Sequence, residues 1–232
     1  MGETYAPPPQ AEGSRPRFSR PATLFLVGVP LAWALLLLLH PGGEQDTIYL
    51  NLQDEITRML VVHVGMLLFI PLLAVAVLLL LRGVEGTSAW VGRIGVVLFV
   101  VFYGAYETLQ GIATPVLVNE MKGLPDVGPE AKAQLVQDFA EHPLVRDLGV
   151  LGAPGTLGLI AGLIAAGIAL RRHAGAPVSV EVLLGLSGFL ITAHPPPFGP
   201  TGLALFAAAV VILVRSRPEV RAAPPLGQPS PV

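Results

Sequence analysis

The chain has 232 residues and a formal net charge of -2; 53% of it is hydrophobic and 13% charged, about half the roughly 25% charged share of an ordinary soluble domain. A water-soluble fold of this length has no means of hiding so much apolar surface, and the apolar residues come in long uncharged runs of the kind that cross bilayers. With no cysteine, disulfides, thiolate catalysis, Cys-ligated zinc and iron–sulfur clusters are excluded, so any metal or haem would have to be held by His, Glu, Asp, Met or Tyr.

These features predict an all-α integral membrane protein, a bundle of about six transmembrane helices with the lipid bilayer as its principal partner and no role for nucleic acid. The bias toward Arg among the basic residues, and toward Ala, Gly, Pro, Leu and Val elsewhere, is that of a GC-rich coding sequence and points to a bacterial source and to the plasma (inner) membrane.

Residues 1–20 are rich in Pro, Gly and charge, lack periodicity and are expected to be a disordered tail. The six-span membrane domain is expected over 21–215. Its first span, 22–40, carries Pro30 and Trp33 and stops at the Pro41-Gly42-Gly43 breaker. Basic residues before it resemble a secretory signal, but the run is long and no small-x-small site follows, so a retained helix is expected.

A short loop with Glu44, Asp46, Asp54 and Glu55 leads to the second span, 59–81, with Pro71 at its middle. The third span is 94–118. The longest loop, 119–146, contains a segment from Pro129 to Glu141 with the apolar spacing of a short amphipathic helix. The fourth span, 148–170, is glycine-rich and ends at Arg171-Arg172-His173. The last two, 178–193 and 198–214, sit near the lower length limit of roughly 17 residues and are joined by His194-Pro195-Pro196-Pro197 as a tight hairpin. Residues 216–232 are expected to be a second, Pro-rich disordered tail.

Cytoplasmic flanks are enriched in Lys and Arg. With both termini cytoplasmic, Arg15, Arg17, Arg20, Arg82, Arg93, Arg171, Arg172, Arg215, Arg217 and Arg221 fall inside, against Arg58, Lys122, Lys132 and Arg146 outside. An odd number of spans would weaken that bias, and six is preferred over five or seven.

Glu107 falls near the middle of the third span, where an ionisable group should face the bundle interior or water. Tyr103, Glu107, Gln110 and Thr114 are four, three and four residues apart and form one polar stripe on a helix. Such a stripe suits a proton relay or a small polar-ligand site, or else joins helices through hydrogen bonds. His63 is expected at the depth of Gln110 and Thr114, facing the third span.

His40 and His194 lie at helix ends on the same side and frame a candidate pocket mouth. Together with His63 they would suit a metal or haem, although no two are paired at helical spacing. Gly158, Gly162 and Ala166 recur every fourth residue and mark a close-packing face, within the bundle or against a protein partner or second copy of the chain.

No phosphate-binding glycine loop, HExxH, Gly-x-Ser-x-Gly or gating-charge ladder is present, and no catalytic residue is assigned. The leading expectation is a non-enzymatic accessory or small-ligand-sensing membrane protein. The alternatives are proton-coupled transport or conduction through Glu107 and, more weakly, a haem or metal protein built on His63 with His194 or His40.

Overall fold

The computed structural model describes residues 18–42 and 47–216. The expected disordered tails therefore lie almost wholly outside the described residues, as do Gly43, Glu44 and Asp46. Among the described residues the protein is all-α. Its helices are α1 (Arg20–Leu37), α2 (Ile48–Leu52), α3 (Ile56–Leu80), α4 (Thr87–Lys122), α5 (Pro129–Ala140), α6 (Gly152–Ala174), α7 (Val178–Thr192) and α8 (Phe198–Arg215).

Five of them, α1, α3, α4, α6 and α8, are long and apolar enough to cross a membrane, which makes the chain a multi-pass membrane protein. The sixth apolar helix, α7, has 15 residues, about 22 Å at ~1.5 Å per residue. Leu24, Leu35, Leu68, Trp90, Leu157 and Phe189 are each more than half exposed. An apolar surface of that extent belongs against lipid tails rather than water.

Local sequence explains the helix ends. Ser19 caps α1 by accepting a hydrogen bond from the Ala22 amide, and a proline occupies the first turn, where its missing N–H costs nothing. α6 ends at Gly175, whose φ of 62° is the left-handed conformation that glycine adopts without strain. It begins at Gly152 rather than at the expected Leu148, because residues 143–150 are folded into turns in which the Gly149 and Val150 amides donate to the Arg146 and Pro143 carbonyls.

The helices pack in the cyclic order α3, α1, α8, α7, α6, α4 and back to α3. The tightest contact is α4 on α6. A Cβ placed on Gly95 would sit 2.4 Å from the Gly158 carbonyl oxygen and 2.7 Å from the Gly162 Cα. Gly158, Gly162 and Ala166 are buried, so of the two uses expected for this face the close packing is within the bundle. The face is filled by Gly92 and Gly95 of the chain's own α4.

The two ends of the bundle differ. At one, Arg93 donates to the Leu81 and Val84 carbonyls at 2.8 and 2.7 Å, and Arg171 pairs with Glu181 at 3.0 Å. At the other, α2, α5 and the last turns of α4 form a cap around Tyr49, Leu52, Val118 and Val136, pinned where Lys122 donates to the Gln53 carbonyl at 2.7 Å.

Candidate metal centre

The chain just past α1, a point two turns into α3 and the turn between α7 and α8 bring His40, His63 and His194 together beneath the cap. One ring nitrogen from each lies within 4.8 Å of the other two. The ring centroids are 5.0 to 5.5 Å apart, edge to face.

His40 is held just past the end of α1, where its amide donates to the Leu37 carbonyl and its Nδ1 lies 2.8 Å from the Pro41 carbonyl oxygen. A carbonyl can only accept, so Nδ1 carries the proton and Nε2 the lone pair. His63 follows the same logic two turns into α3, with Nδ1 2.9 Å from the Met59 carbonyl oxygen. The space its ring occupies exists because residue 111 is glycine: a Cβ there would come within 1.8 Å of His63 Cδ2.

His194 opens the turn between α7 and α8. The Tyr103 hydroxyl donates to the Thr192 carbonyl at 3.2 Å and leaves its oxygen to accept from His194 Nδ1, also at 3.2 Å. The lone pair of His194 is thereby also assigned to Nε2. Burial, helped at His40 by the neighbouring His194 ring, lowers both His40 and His194, which lie outside the spanning helices, to about 4. Both rings are neutral near pH 7, the form that binds metals.

Glu107 enters the cluster from α4. Two π-helical stretches, Phe99–Tyr103 and Thr108–Ala113, bracket the single α-helical turn Gly104–Glu107 that carries it. Such wide turns re-aim side chains and recur at functional sites. The residue is fully buried. Its Oε2 lies 3.4 Å from His63 Nε2 and its Oε1 3.5 Å from His194 Nδ1, and the Tyr103 hydroxyl is close by, yet neither oxygen has a hydrogen-bond partner of good geometry, and neither does His40 Nε2. Buried acceptors are almost always satisfied, and leaving one unsatisfied costs about 1–3 kcal/mol. Two lone-pair carriers facing each other across 3.4 Å call for a positive charge between them, either a proton shared by the carboxyl and the ring or a bound cation.

An ion meets that demand in this donor set. For donors ~2.0–2.1 Å from zinc, a 3.4 Å separation corresponds to an angle of roughly 110°, close to tetrahedral. The Nδ1 hydrogen bonds of the three rings are the outer contacts that orient metal-ligating imidazoles.

The expected polar stripe divides in two. Tyr103 and Glu107 reach the histidine cluster, whereas Gln110 and Thr114 are bonded to each other at 3.1 Å and line a cavity of about 410 Å³ that His40, Met59 and Pro195 also border. Asp147, Tyr106 and Gly111 were not identifiable from sequence. Tyr106 donates to Asp147 from the next turn of α4, and only the glycine one turn beyond Glu107 hinted at a close approach. His142 and His173 stand apart from the cluster. No family model, curated protein or solved structure matches the chain.

Proposed function

We propose that the chain is a transition-metal-binding membrane protein, with His40, His63 and His194 as ligands through Nε2 and Glu107 Oε2 as the fourth donor. The observation that carries this reading is the convergence of three imidazoles, each with Nδ1 committed to a protein oxygen, on a buried carboxylate that has no hydrogen-bond partner of good geometry. Imidazole and carboxylate without thiolate suit Zn²⁺, Cu²⁺, Ni²⁺ or Fe²⁺. When bound, the ion supplies a positive charge and a Lewis-acid centre at this depth. Three rings packed edge to face at about 5 Å favour an ion over the flat plane of a haem.

The role that goes with the site is that of a small-ligand-sensing or accessory module whose ligand is the ion. The chain crosses the inner membrane of a bacterium six times, α7 included, with both ends cytoplasmic. In this arrangement the arginine-rich end carrying Arg82, Arg93, Arg171 and Arg215 faces inward, and the histidine cluster opens to the extracytoplasmic side. Cysteine is absent, so single cysteines report sidedness cleanly: Lys132→Cys is labelled in intact cells and Glu85→Cys only after lysis. The reverse pattern would invert the topology.

A proton-coupled role for Glu107 is the second reading, favoured by the same unsatisfied carboxylate. Metal content separates the two. Purified protein dialysed against trace Zn²⁺ is expected to retain one ion per chain by plasma mass spectrometry, and His63→Ala and His194→Ala to lose it. Retention of the ion by both variants, or none in the parent, would reject the metal reading, and the latter result would move the site to proton chemistry.

A further inference from the structure

The histidine cluster has two cavities beside it, and they differ in chemistry. The one bordered by His40 sets Asn51, Gln110 and Thr114 among Ile48, Leu52, Met59, Pro195 and Pro196 and has no carboxylate in its lining, so nothing there offsets the charge of an incoming cation. The second, about 510 Å³, is lined by Tyr103, Tyr106, Asp147, Thr156, Thr192 and His194 among others. It presents a carboxylate, four hydroxyls and one of the three imidazoles. Six waters at ~30 Å³ each need roughly 180 Å³, so a fully hydrated ion fits.

On the metal reading above, we infer that this second cavity is the uptake vestibule for a hydrated divalent cation, which exchanges water for protein donors there and passes to the cluster by way of His194. Asp147 is the charged group at its mouth. It is exposed and held by the Tyr106 hydroxyl, so it attracts a cation without leaving the wall. Arg146, its neighbour in the chain, is exposed and is not among the lining residues. His194 is shared between vestibule and cluster, and behind it the unpartnered carboxylate of Glu107 lies 3.5 Å from its Nδ1. A cation therefore meets one carboxylate in the vestibule wall, then oxygen donors and His194, and a second carboxylate, Glu107, beyond that ring and outside the lining.

The experiment measures the rate of Zn²⁺ uptake by the full-length, metal-free chain in lipid nanodiscs, by stopped flow at low ionic strength. Asp147→Asn keeps an acceptor for Tyr106 and removes the charge. It should slow uptake about threefold or more while leaving final stoichiometry unchanged, and the difference should shrink in high salt, as expected of electrostatic steering. Ile48→Trp, which narrows the apolar cavity, should leave the rate unchanged.

An Asp147→Asn rate equal to the parent's, or a rate lowered by Ile48→Trp instead, overturns the vestibule while one bound ion per chain still upholds the metal reading. A parent chain that takes up no Zn²⁺ overturns both.

Discussion

Gly111→Ala tests the site through a single methyl group. The added Cβ would lie 1.8 Å from His63 Cδ2, 2.3 Å from Cγ and 2.7 Å from Nε2, where carbon atoms rest at about 3.5–4.0 Å. The ring and the helix must separate by about 1.7 Å or more to reach that distance. Metal–ligand distances tolerate about ±0.2 Å, so the displacement removes His63 from any shared coordination sphere. Disturbing even an outer partner of a ligand typically costs 10–100-fold in affinity. Loss of the ligand itself should cost at least about 100-fold, measured by competition with a chelating dye.

Gly104→Ala lies on the same helix with nothing within 4 Å of its Cβ and serves as the control, with affinity unchanged. Parent-like affinity in Gly111→Ala, with Gly104→Ala also normal, would refute the placement of His63 as a ligand.

Other perturbations probe separate parts of the account. Glu107→Gln keeps the shape and removes a charged donor, so Zn²⁺ affinity should fall by at least about 100-fold, more than the loss of an outer partner costs, while the chain still folds by circular dichroism; unchanged affinity would leave the carboxylate with no part in binding. Gly95→Ala would press a Cβ to 2.4 Å from the Gly158 carbonyl oxygen, and overpacking of this kind costs about 1–3 kcal/mol. Its thermal midpoint in detergent should drop, whereas an unaltered midpoint would mean that the α4–α6 contact is looser than described. Stripping the ion should lower stability by about 2.7 kcal/mol relative to protein held at a free ion concentration ~100 times its dissociation constant. Thermal unfolding with and without a chelator reads this directly, and coincident curves would count against an ion coupled to the fold.

The membrane helices were legible because hydrophobic length is a local property of sequence, and the amphipathic segment at Pro129 was legible for the same reason. Glu107 stood out because a carboxylate inside an apolar run has few explanations. The histidine cluster was only half visible. His40, His63 and His194 come from three separate segments with no helical spacing among them, and their convergence depends on which helices are neighbours around the ring.

The π-helical turns around Glu107 were equally hidden, since nothing in Phe99–Ala113 distinguishes them from ordinary helix. They help explain why Gln110 and Thr114 ended up in a cavity wall rather than beside the histidines. The small-residue face at Gly158, Gly162 and Ala166 was recognised, but its occupant, Gly92 and Gly95 of α4, was a matter of tertiary packing that periodicity does not encode.

Whether three imidazoles and one carboxylate hold the ion is read from X-ray absorption of the Zn²⁺-loaded protein. The account expects one ion per chain with four nitrogen or oxygen donors at ~2.0–2.1 Å and the outer scattering of three imidazole rings. An all-oxygen first shell without imidazole scattering, or zinc that washes away on dialysis, would contradict it.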